Sequence, residues 1–215
     1  RCVFCQNYEI AEGNCAREIS GERLSEIFLE LQEQGAANIN LVTAAHFAPA
    51  VIGALKKAKA QGMHLPVIYN SSGYERVETV QMLEEVVDVW LPDFKYMDPE
   101  LAFVCSKAKD YPEVAGAAIR EMMLAGGMCE YDDNGYIQKG VIVRHLILPG
   151  HTGNSIKALR YLHETYGEDI YISIMNQYTP VRKFVEFKEL NRKVTKREYE
   201  KVLDAAVDMG IQNGF

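Results

Sequence analysis

The apolar positions of this chain recur with two different spacings. In the stretch SGERLSEIFLELQEQG, Leu24, Ile27 and Leu31 lie three or four residues apart, so they share one face of a helix. Ser20 is a candidate N-cap for this helix, and Gly35 lies near its end. The same spacing predicts further helices over residues 49–62, 75–87, 112–123, 155–167 and 195–210.

Short apolar runs of strand length lie between these helical segments. They cover residues 38–42, 65–69, 87–94, 139–148 and 169–175, which predicts five strands. Strands that alternate with helices of this kind indicate βαβ units and a parallel sheet. Polar residues follow the carboxyl end of each strand, which is where α/β enzymes place their chemistry.

One segment, GGMCEYDDNGYIQK at residues 126–139, interrupts this alternation. It contains the turn signal Asp133-Asn134-Gly135, so we interpret it as a hairpin-like insertion. The 215 residues are enough for one sizeable core, and we therefore predict a single domain over residues 1–215.

Composition and charge exclude several classes of partner. The formal net charge is −7 and no basic stripe is present, so nucleic acid is not an expected partner. No apolar run is long enough to cross a bilayer, so no membrane partner is expected. The five cysteines are odd in number and include one tightly spaced pair, which favours a reducing, cytoplasmic setting over a disulfide scaffold.

That pair stands at the beginning of the chain, in RCVFCQNYEI. The CxxC spacing of Cys2 and Cys5 suits a zinc site, a thioredoxin-like redox pair or part of an iron–sulfur site. Zinc needs four ligands and no second CxxC is present, while a thioredoxin-like motif would follow a strand. Spacing alone leaves these alternatives open. Cys15, Cys105 and Cys129 have no partner nearby in sequence, and we interpret them as unliganded thiols.

The surrounding sequence resembles the radical S-adenosylmethionine (radical SAM) superfamily, in particular proteins related to pyruvate formate-lyase-activating enzyme. RCVFCQNYEI is similar to the second and third cysteines of the signature Cys-x3-Cys-x2-Cys. NLVTAAHFAP, YNSSGYE, LPDFKYMDP, VIVRHLILPG and ISIMNQYTP resemble the strand ends of that family, in the same order. The resemblance covers nearly the whole chain. It implies an α/β fold, a partial (β/α)6 TIM-like barrel that is open on one side.

The resemblance also implies two cofactors, a [4Fe–4S] cluster and SAM. Cys2 and Cys5 would ligate two of the irons, and SAM would chelate the iron that has no cysteine. Phe4 would lie near the adenine of SAM, and Asn7 would lie close to the cluster or to SAM.

Three further segments would bind polar groups of SAM. Thr43 to His46 occupy the place of a Gly-Gly-Glu-like segment that holds the methionine amino group. Because these residues include neither the glycines nor the Glu, backbone contacts are expected there. Asn70 and Ser71 match a polar pair at the third strand of the family. Asn176 and Gln177 fall at the sixth, where a His often meets the ribose.

Asp93 and Lys95 match the Asp-x-Lys of the family's fourth strand, where the lysine would meet the SAM carboxylate. A compact point charge suits that task. Without the resemblance, the same two residues are equally well interpreted as a surface ion pair of little energetic value. Arg144 matches an arginine that lies near the substrate, and strand alternation places it on the opposite face from His145.

The implied activity is reductive cleavage of SAM to a 5′-deoxyadenosyl radical, which then abstracts a hydrogen atom from a substrate. In activating enzymes that atom comes from a backbone glycine, so a glycyl-radical enzyme or another protein substrate is an expected partner. A flavodoxin- or ferredoxin-type protein is the expected electron donor.

Two alternatives belong to other classes of function. The chain could be a (β/α)-barrel aldolase or lyase in which Lys95 forms a Schiff base with a carbonyl substrate. It could also be a non-catalytic module that binds SAM or a partner protein.

The beginning of the chain carries an expectation of its own. The first cysteine of the signature would stand four residues before Cys2, upstream of Arg1, and the first barrel strand would precede it. We therefore expect the chain to be a fragment or trimmed form that lacks the first strand and cannot by itself hold a complete three-cysteine cluster.

Overall fold

The structure, a computed structural model, describes residues 2–6, 17–181, 183–185 and 187–214. The chain divides into two compact units. The first unit contains the described residues of Arg1–Ala16, Asp93–Glu113 and Val143–Phe215, and the second contains Arg17–Pro92 and Val114–Ile142. The single domain expected over residues 1–215 stays a prediction.

Seven α-helices lie within the described residues. They are α1 (Gly21–Glu33), α2 (Ala48–Ala60), α3 (Val77–Leu83), α4 (Pro99–Ser106), α5 (Tyr111–Gly126), α6 (Thr152–Tyr166) and α7 (Lys196–Asp208). The strands are β1 (Ile39–Val42), β2 (Val67–Ser71), β3 (Val89–Pro92), β4 (Glu130–Tyr131), β5 (Ile137–Leu146) and β6 (Tyr171–Met175). All five strands expected from the apolar runs are present, and β4 is the additional one.

The second unit contains a parallel sheet in the order β1, β2, β3, β5. Within residues 126–139, which the sequence predicts to be a hairpin-like insertion, β4 pairs with β5 in antiparallel fashion. Apolar side chains on the sheet and on the helices form a core around the fully buried Trp90 and Tyr69, whose rings meet edge to face at 5.6 Å. Helix α1 packs against α2.

In the first unit, the end of β5 pairs with β6, and α6 packs against α7. Two helices of this unit, α7 and α4, begin at residues with N-capping side chains. Thr195 and Glu198 form a capping box at the beginning of α7. Asp98 caps α4 by accepting from the backbone N–H groups of Glu100 and Leu101, and Pro99 takes the first helical position, where no N–H is needed.

Strand β2 lies two residues further along the chain than the pattern predicts. Its pairing with β1 begins at Val67, directly after Pro66. Pro66 has no N–H to donate and contributes only its carbonyl, which accepts from Ile39 N at 2.9 Å. As a result Asn70 and Ser71 are the last residues of β2 rather than the first residues after it.

The fold is thus mixed α/β with a parallel sheet, as the sequence predicts. Closure of this sheet into a partial (β/α)6 barrel is a finer statement that stays a prediction. Within the part of the chain that the structure describes, every helix is too short or too polar to span a membrane.

Candidate functional site

Asp93, Lys95 and Arg144 form one ion-pair cluster in the first unit. Asp93 Oδ2 lies 2.6 Å from Lys95 Nζ, and Asp93 Oδ1 lies 2.7 Å from Arg144 Nη2. The three side chains are only 14 to 23% exposed. Asp93 and Lys95 are therefore not an exposed surface ion pair. Together with Arg144 they form a partly desolvated cluster of three charged side chains. In these two ion pairs, two cations share one carboxylate, an arrangement that suits an anionic ligand group.

Backbone geometry brings these three side chains together. Asp93 directly follows β3 and forms a parallel bridge with Arg144 of β5, and Phe94 N donates to Arg144 O at 2.8 Å. Successive side chains of extended backbone face opposite sides, so Asp93 and Lys95 share a face. Phe94 points the other way, where it is fully buried and its ring stacks on Tyr161 at 5.3 Å.

His145 lies on the face of β5 opposite to Arg144, as alternation predicts. It is fully buried, and its Nδ1 lies 2.6 Å from the carbonyl oxygen of Phe94. A carbonyl only accepts, so Nδ1 carries the proton. Burial lowers the pKa of His145 to about 4, more than the bond to Phe94 raises it. At neutral pH, His145 is therefore a neutral donor to the backbone between Asp93 and Lys95.

Cys2 and Cys5 lie on one tight turn, in which Cys5 N donates to Cys2 O at 3.2 Å. The turn is tied to α4 by Val3 N, which donates to Cys105 O at 2.8 Å. Two hydroxyl groups contact the Cys2 sulfur, with Ser106 Oγ at 2.7 Å and Tyr96 Oη at 3.6 Å. These hydroxyls also bond each other at 2.8 Å.

The turn fits two of the ligands of an iron–sulfur cluster. It presents two partly exposed thiols at the spacing that such clusters use. Among the described residues, no group of three or more His, Cys, Asp or Glu side chains could hold a metal ion. The structure therefore shows no third protein ligand beside Cys2 and Cys5 in the part of the chain that it describes. Cys105 is a different kind of thiol, because it is fully buried and burial raises its pKa to about 12.

Phe4, between the two cysteines, is buried and packs edge to face on Tyr178 at 5.7 Å. Asn176 and Gln177 directly follow β6 and are exposed. Asn7 lies outside the described residues.

In the second unit, the structure brings Thr43 and Asn70 together. Thr43 N donates to Asn70 O at 2.9 Å, which extends the pairing of β1 with β2 by one residue. Thr43 has φ +55°, a left-handed conformation that favours glycine and is unusual for a β-branched residue. His46 is exposed, with its ring 4.3 Å from that of Phe47.

Ser71 and Glu75 form a buried polar group at the carboxyl end of β2. Ser71 Oγ accepts from Gly73 N at 3.0 Å, and both Ser71 and Glu75 are buried. Burial raises the pKa of Glu75, while hydrogen bonds from Tyr69 and Ser71 lower it in part. The sequence interpretation missed Glu75. A carboxylate six residues after the predicted strand at 65–69 was a signal that could have found it.

Comparisons with known proteins add to this geometry. No protein-family model matches the chain. The uncharacterized protein MJ0674 of Methanocaldococcus jannaschii is 28% identical over 213 residues, which are 96% of this chain and 58% of that protein. The chain thus spans less than two thirds of the length of this curated relative.

Several solved structures share the fold. A domain of pyruvate-formate lyase-activating enzyme from Bacteroides vulgatus has a TM-score of 0.55 at 14% identity, over 84% of this chain and 98% of that one. A radical SAM methyltransferase from Sphaerobacter thermophilus has a TM-score of 0.65 at 14% identity, over 100% of this chain and 62% of that one. SuiB of Streptococcus suis, bound to the precursor peptide SuiA, has a TM-score of 0.61 at 10% identity, over 99% of this chain and 44% of that one. The chain therefore has a fold similar to that of radical SAM enzymes.

Proposed function

We propose that this chain is the core of a radical SAM enzyme. The observation that carries the proposal is the cluster of Asp93, Lys95 and Arg144 at the ends of β3 and β5. The similarity of the fold to radical SAM enzymes supports it. A partly buried site with two cationic side chains suits a ligand that, like SAM, carries a carboxylate.

Each member of the cluster has a distinct proposed role. Lys95 binds the carboxylate of the methionine part of SAM. Asp93, 2.6 Å from Lys95 Nζ, holds that ammonium in place and accepts from polar N–H groups of the ligand. Arg144 lies at the other oxygen of Asp93 and faces the substrate. As a planar guanidinium, it suits a substrate with a carboxylate or a peptide carbonyl.

The two cysteines are the proposed protein ligands of a [4Fe–4S] cluster. When bound at these cysteines, such a cluster would supply an electron for reductive cleavage of SAM. The residues of the chain orient the ligands and exclude water: Cys2 is held by Ser106, and Phe4 closes the turn by packing on Tyr178. The roles given to Thr43, His46, Asn70, Ser71, Asn176, Gln177 and Asn7 in binding SAM stay predictions.

The substrate is proposed to be a protein or a peptide. One protein of similar fold is an activating enzyme by its description, and another is described bound to a precursor peptide. A glycyl-radical enzyme is one such substrate, with a flavodoxin- or ferredoxin-type protein as the electron donor. A cytoplasmic location agrees with cysteines that have to stay reduced to bind iron.

The test is anaerobic reconstitution of the product of the whole open reading frame with iron and sulfide. We expect a brown protein with an absorption shoulder at about 400 nm. With SAM and dithionite, it should release 5′-deoxyadenosine. A protein that stays colourless contradicts the proposal.

Variants distinguish the proposed roles. Cys2→Ser and Cys5→Ser should lose the absorption at about 400 nm, whereas Cys129→Ser should keep it. Lys95→Met should keep the absorption and lose 5′-deoxyadenosine formation, because Lys95 acts on SAM and not on iron. If Cys129→Ser abolished the cluster as well, the assignment of Cys2 and Cys5 would be wrong.

The aldolase alternative is less well supported by the geometry. A Schiff-base lysine attacks through its side-chain nitrogen, and the nitrogen of Lys95 is held in an ion pair with Asp93. Borohydride trapping with a carbonyl substrate should therefore leave Lys95 unmodified.

A further inference from the structure

We propose that Tyr111 and Asn154 are positioning residues that fix the backbone from Asp93 to Asp98, so that the side chains of Asp93 and Lys95 are held on one face toward Arg144. Both residues act through the backbone and touch none of the three charged groups in the hydrogen bonds described below. The inference rests on the proposed function for the ligand that this arrangement serves, but not for the arrangement itself.

Tyr111 bridges the two ends of the Asp93–Lys95 segment with a single hydroxyl group. Its hydroxyl donates to Asp93 O at 2.9 Å and accepts from Lys95 N at 3.0 Å. The Tyr111 side chain is 2% exposed, so water does not replace these bonds easily. The Tyr111 hydroxyl thus binds both the carbonyl of Asp93 and the N–H of Lys95. These two bonds keep the side chain of the intervening residue, Phe94, turned away from the cluster.

Asn154 holds the other end of the segment. It lies in the first turn of α6, is 8% exposed and uses both ends of its amide. Nδ2 donates to Lys95 O at 3.0 Å, while Oδ1 accepts from Met97 N at 2.9 Å and from Asp98 N at 3.2 Å. This one side chain therefore satisfies three backbone groups that have no strand partner after β3 ends.

His145 completes the support from the opposite face. Its Nδ1 donates to Phe94 O, which lies between the two carbonyls bound by Tyr111 and Asn154. The carbonyls of Asp93, Phe94 and Lys95 thus each accept from a buried side chain. A loop directly after a strand would ordinarily move more than the strand, and these bonds restrain the backbone of this segment.

The chain offers a matched control for Asn154. Asn191 makes the same kind of bonds elsewhere in the first unit: its Oδ1 accepts from Phe184 N at 2.7 Å, and its Nδ2 donates to Phe184 O at 2.7 Å. Asn154→Ala and Asn191→Ala therefore remove similar hydrogen bonds and should lower the melting temperature to a similar extent. Only Asn154→Ala should affect Lys95.

The direct test measures the reactivity of Lys95. The protein is labelled with limiting acetic anhydride, and acetylation of Lys95 is compared by mass spectrometry with that of Lys196, whose side chain is 88% exposed. We expect Asn154→Ala and Tyr111→Phe to raise the relative reactivity of Lys95 by about tenfold, the factor that corresponds to 1.4 kcal/mol. Asn191→Ala should leave it unchanged. The isosteric Asn154→Asp should also raise it, because a carboxylate cannot donate to Lys95 O.

Two outcomes would overturn the inference. Lys95 reactivity could stay at the native value in Asn154→Ala and Tyr111→Phe. It could also rise equally in Asn191→Ala, which would show general loosening of the unit and not positioning.

A second measurement separates this inference from the proposed function. Binding of S-adenosylhomocysteine to the native protein is measured by calorimetry, and Asn154→Ala should weaken it by about tenfold while Asn191→Ala does not. If the native protein binds neither S-adenosylhomocysteine nor SAM, the proposed function fails. The acetylation of Lys95 still decides whether Tyr111 and Asn154 position it.

Discussion

Asp93 and Arg144 are joined twice, once through the backbone and once through their side chains. The two residues form a parallel bridge at the ends of β3 and β5, and Asp93 Oδ1 lies 2.7 Å from Arg144 Nη2. The backbone bridge fixes the distance between the two residues before any side-chain rotamer is chosen. The backbone bridge therefore holds the two residues next to each other, and less side-chain entropy is lost when the ion pair forms.

Removing the carboxylate should be costly. Asp93→Ala leaves Lys95 and Arg144 close together, partly buried and without their shared anion, so we expect the free energy of unfolding to fall by about 3 kcal/mol. Urea unfolding monitored by circular dichroism measures this change. The control is Glu85→Ala, which removes the exposed ion pair with Lys56 and should leave the stability nearly unchanged. Equal effects of the two substitutions would contradict the buried character of the cluster.

Buried His145 should make stability depend on pH. Its pKa is about 4 in the folded protein and about 6.5 in the unfolded chain, so the unfolded state binds more protons between these values. Above pH 6.5 the lowered pKa of His145 has no effect on stability, and between pH 6.5 and 4 it increasingly destabilises the folded state. At pH 5, we expect a loss of about 2 kcal/mol relative to pH 7.5. Urea unfolding at a series of pH values measures it.

A pair of histidine variants isolates this contribution. His145→Gln should flatten the dependence of stability on pH, because the replaced side chain does not titrate. His64→Gln, at an exposed position, is the matched control substitution. If the slope of the His145 variant equalled that of the native protein, the pH dependence would come from other groups.

The left-handed backbone of Thr43 predicts an unusual order of stabilities. Glycine adopts a φ of +55° freely, whereas alanine is strained there. The Thr43→Gly variant should therefore be more stable than the Thr43→Ala variant by about 1 kcal/mol. Thr79 lies in α3, where glycine should be the less stable of the same two replacements by about 1 kcal/mol. Thermal unfolding of the four variants tests whether the order reverses between the two positions.

Two glycines should respond in opposite directions to alanine. A Cβ on Gly140 of β5 would lie 2.6 Å from the Cα of Cys129, at φ +125°. Gly140→Ala should therefore lower the free energy of unfolding by about 2 kcal/mol. Gly53 in α2 has no atom within 4 Å of such a Cβ, and Gly53→Ala should raise stability by about 1 kcal/mol. Thermal unfolding measures both, and a neutral Gly140→Ala would show that the hairpin backbone can shift.

Local signals account for the parts of the fold that could be predicted from the sequence. The strand positions followed from apolar runs, and the hairpin at residues 126–139 followed from Asp133-Asn134-Gly135, because both signals are local. The grouping of Asp93 with Arg144 was accessible as well, since parallel strands bring their carboxyl ends to one edge. The beginning of β2 at Val67 was not predicted, because it depends on Pro66, which cannot donate a backbone hydrogen bond. A pattern of apolar residues contains no information about this constraint.

The support around the site was not accessible in this way. Tyr111 and Asn154 are 16 and 59 residues away from Lys95, and each sits at the beginning of a helix in an ordinary helical pattern. Their roles depend on which side chain reaches an unpaired backbone group after folding. The buried acid Glu75 has the same character, because its significance comes from burial and not from spacing.

The two hydroxyl groups that contact the Cys2 sulfur have a consequence for the turn that carries it. A hydroxyl donates or accepts as it rotates, so Ser106 and Tyr96 can each accept a hydrogen bond from the Cys2 S–H or donate one to its sulfur. Rotation of two O–H bonds is therefore enough to keep both hydrogen bonds to the Cys2 sulfur, whichever atom of each pair is the donor.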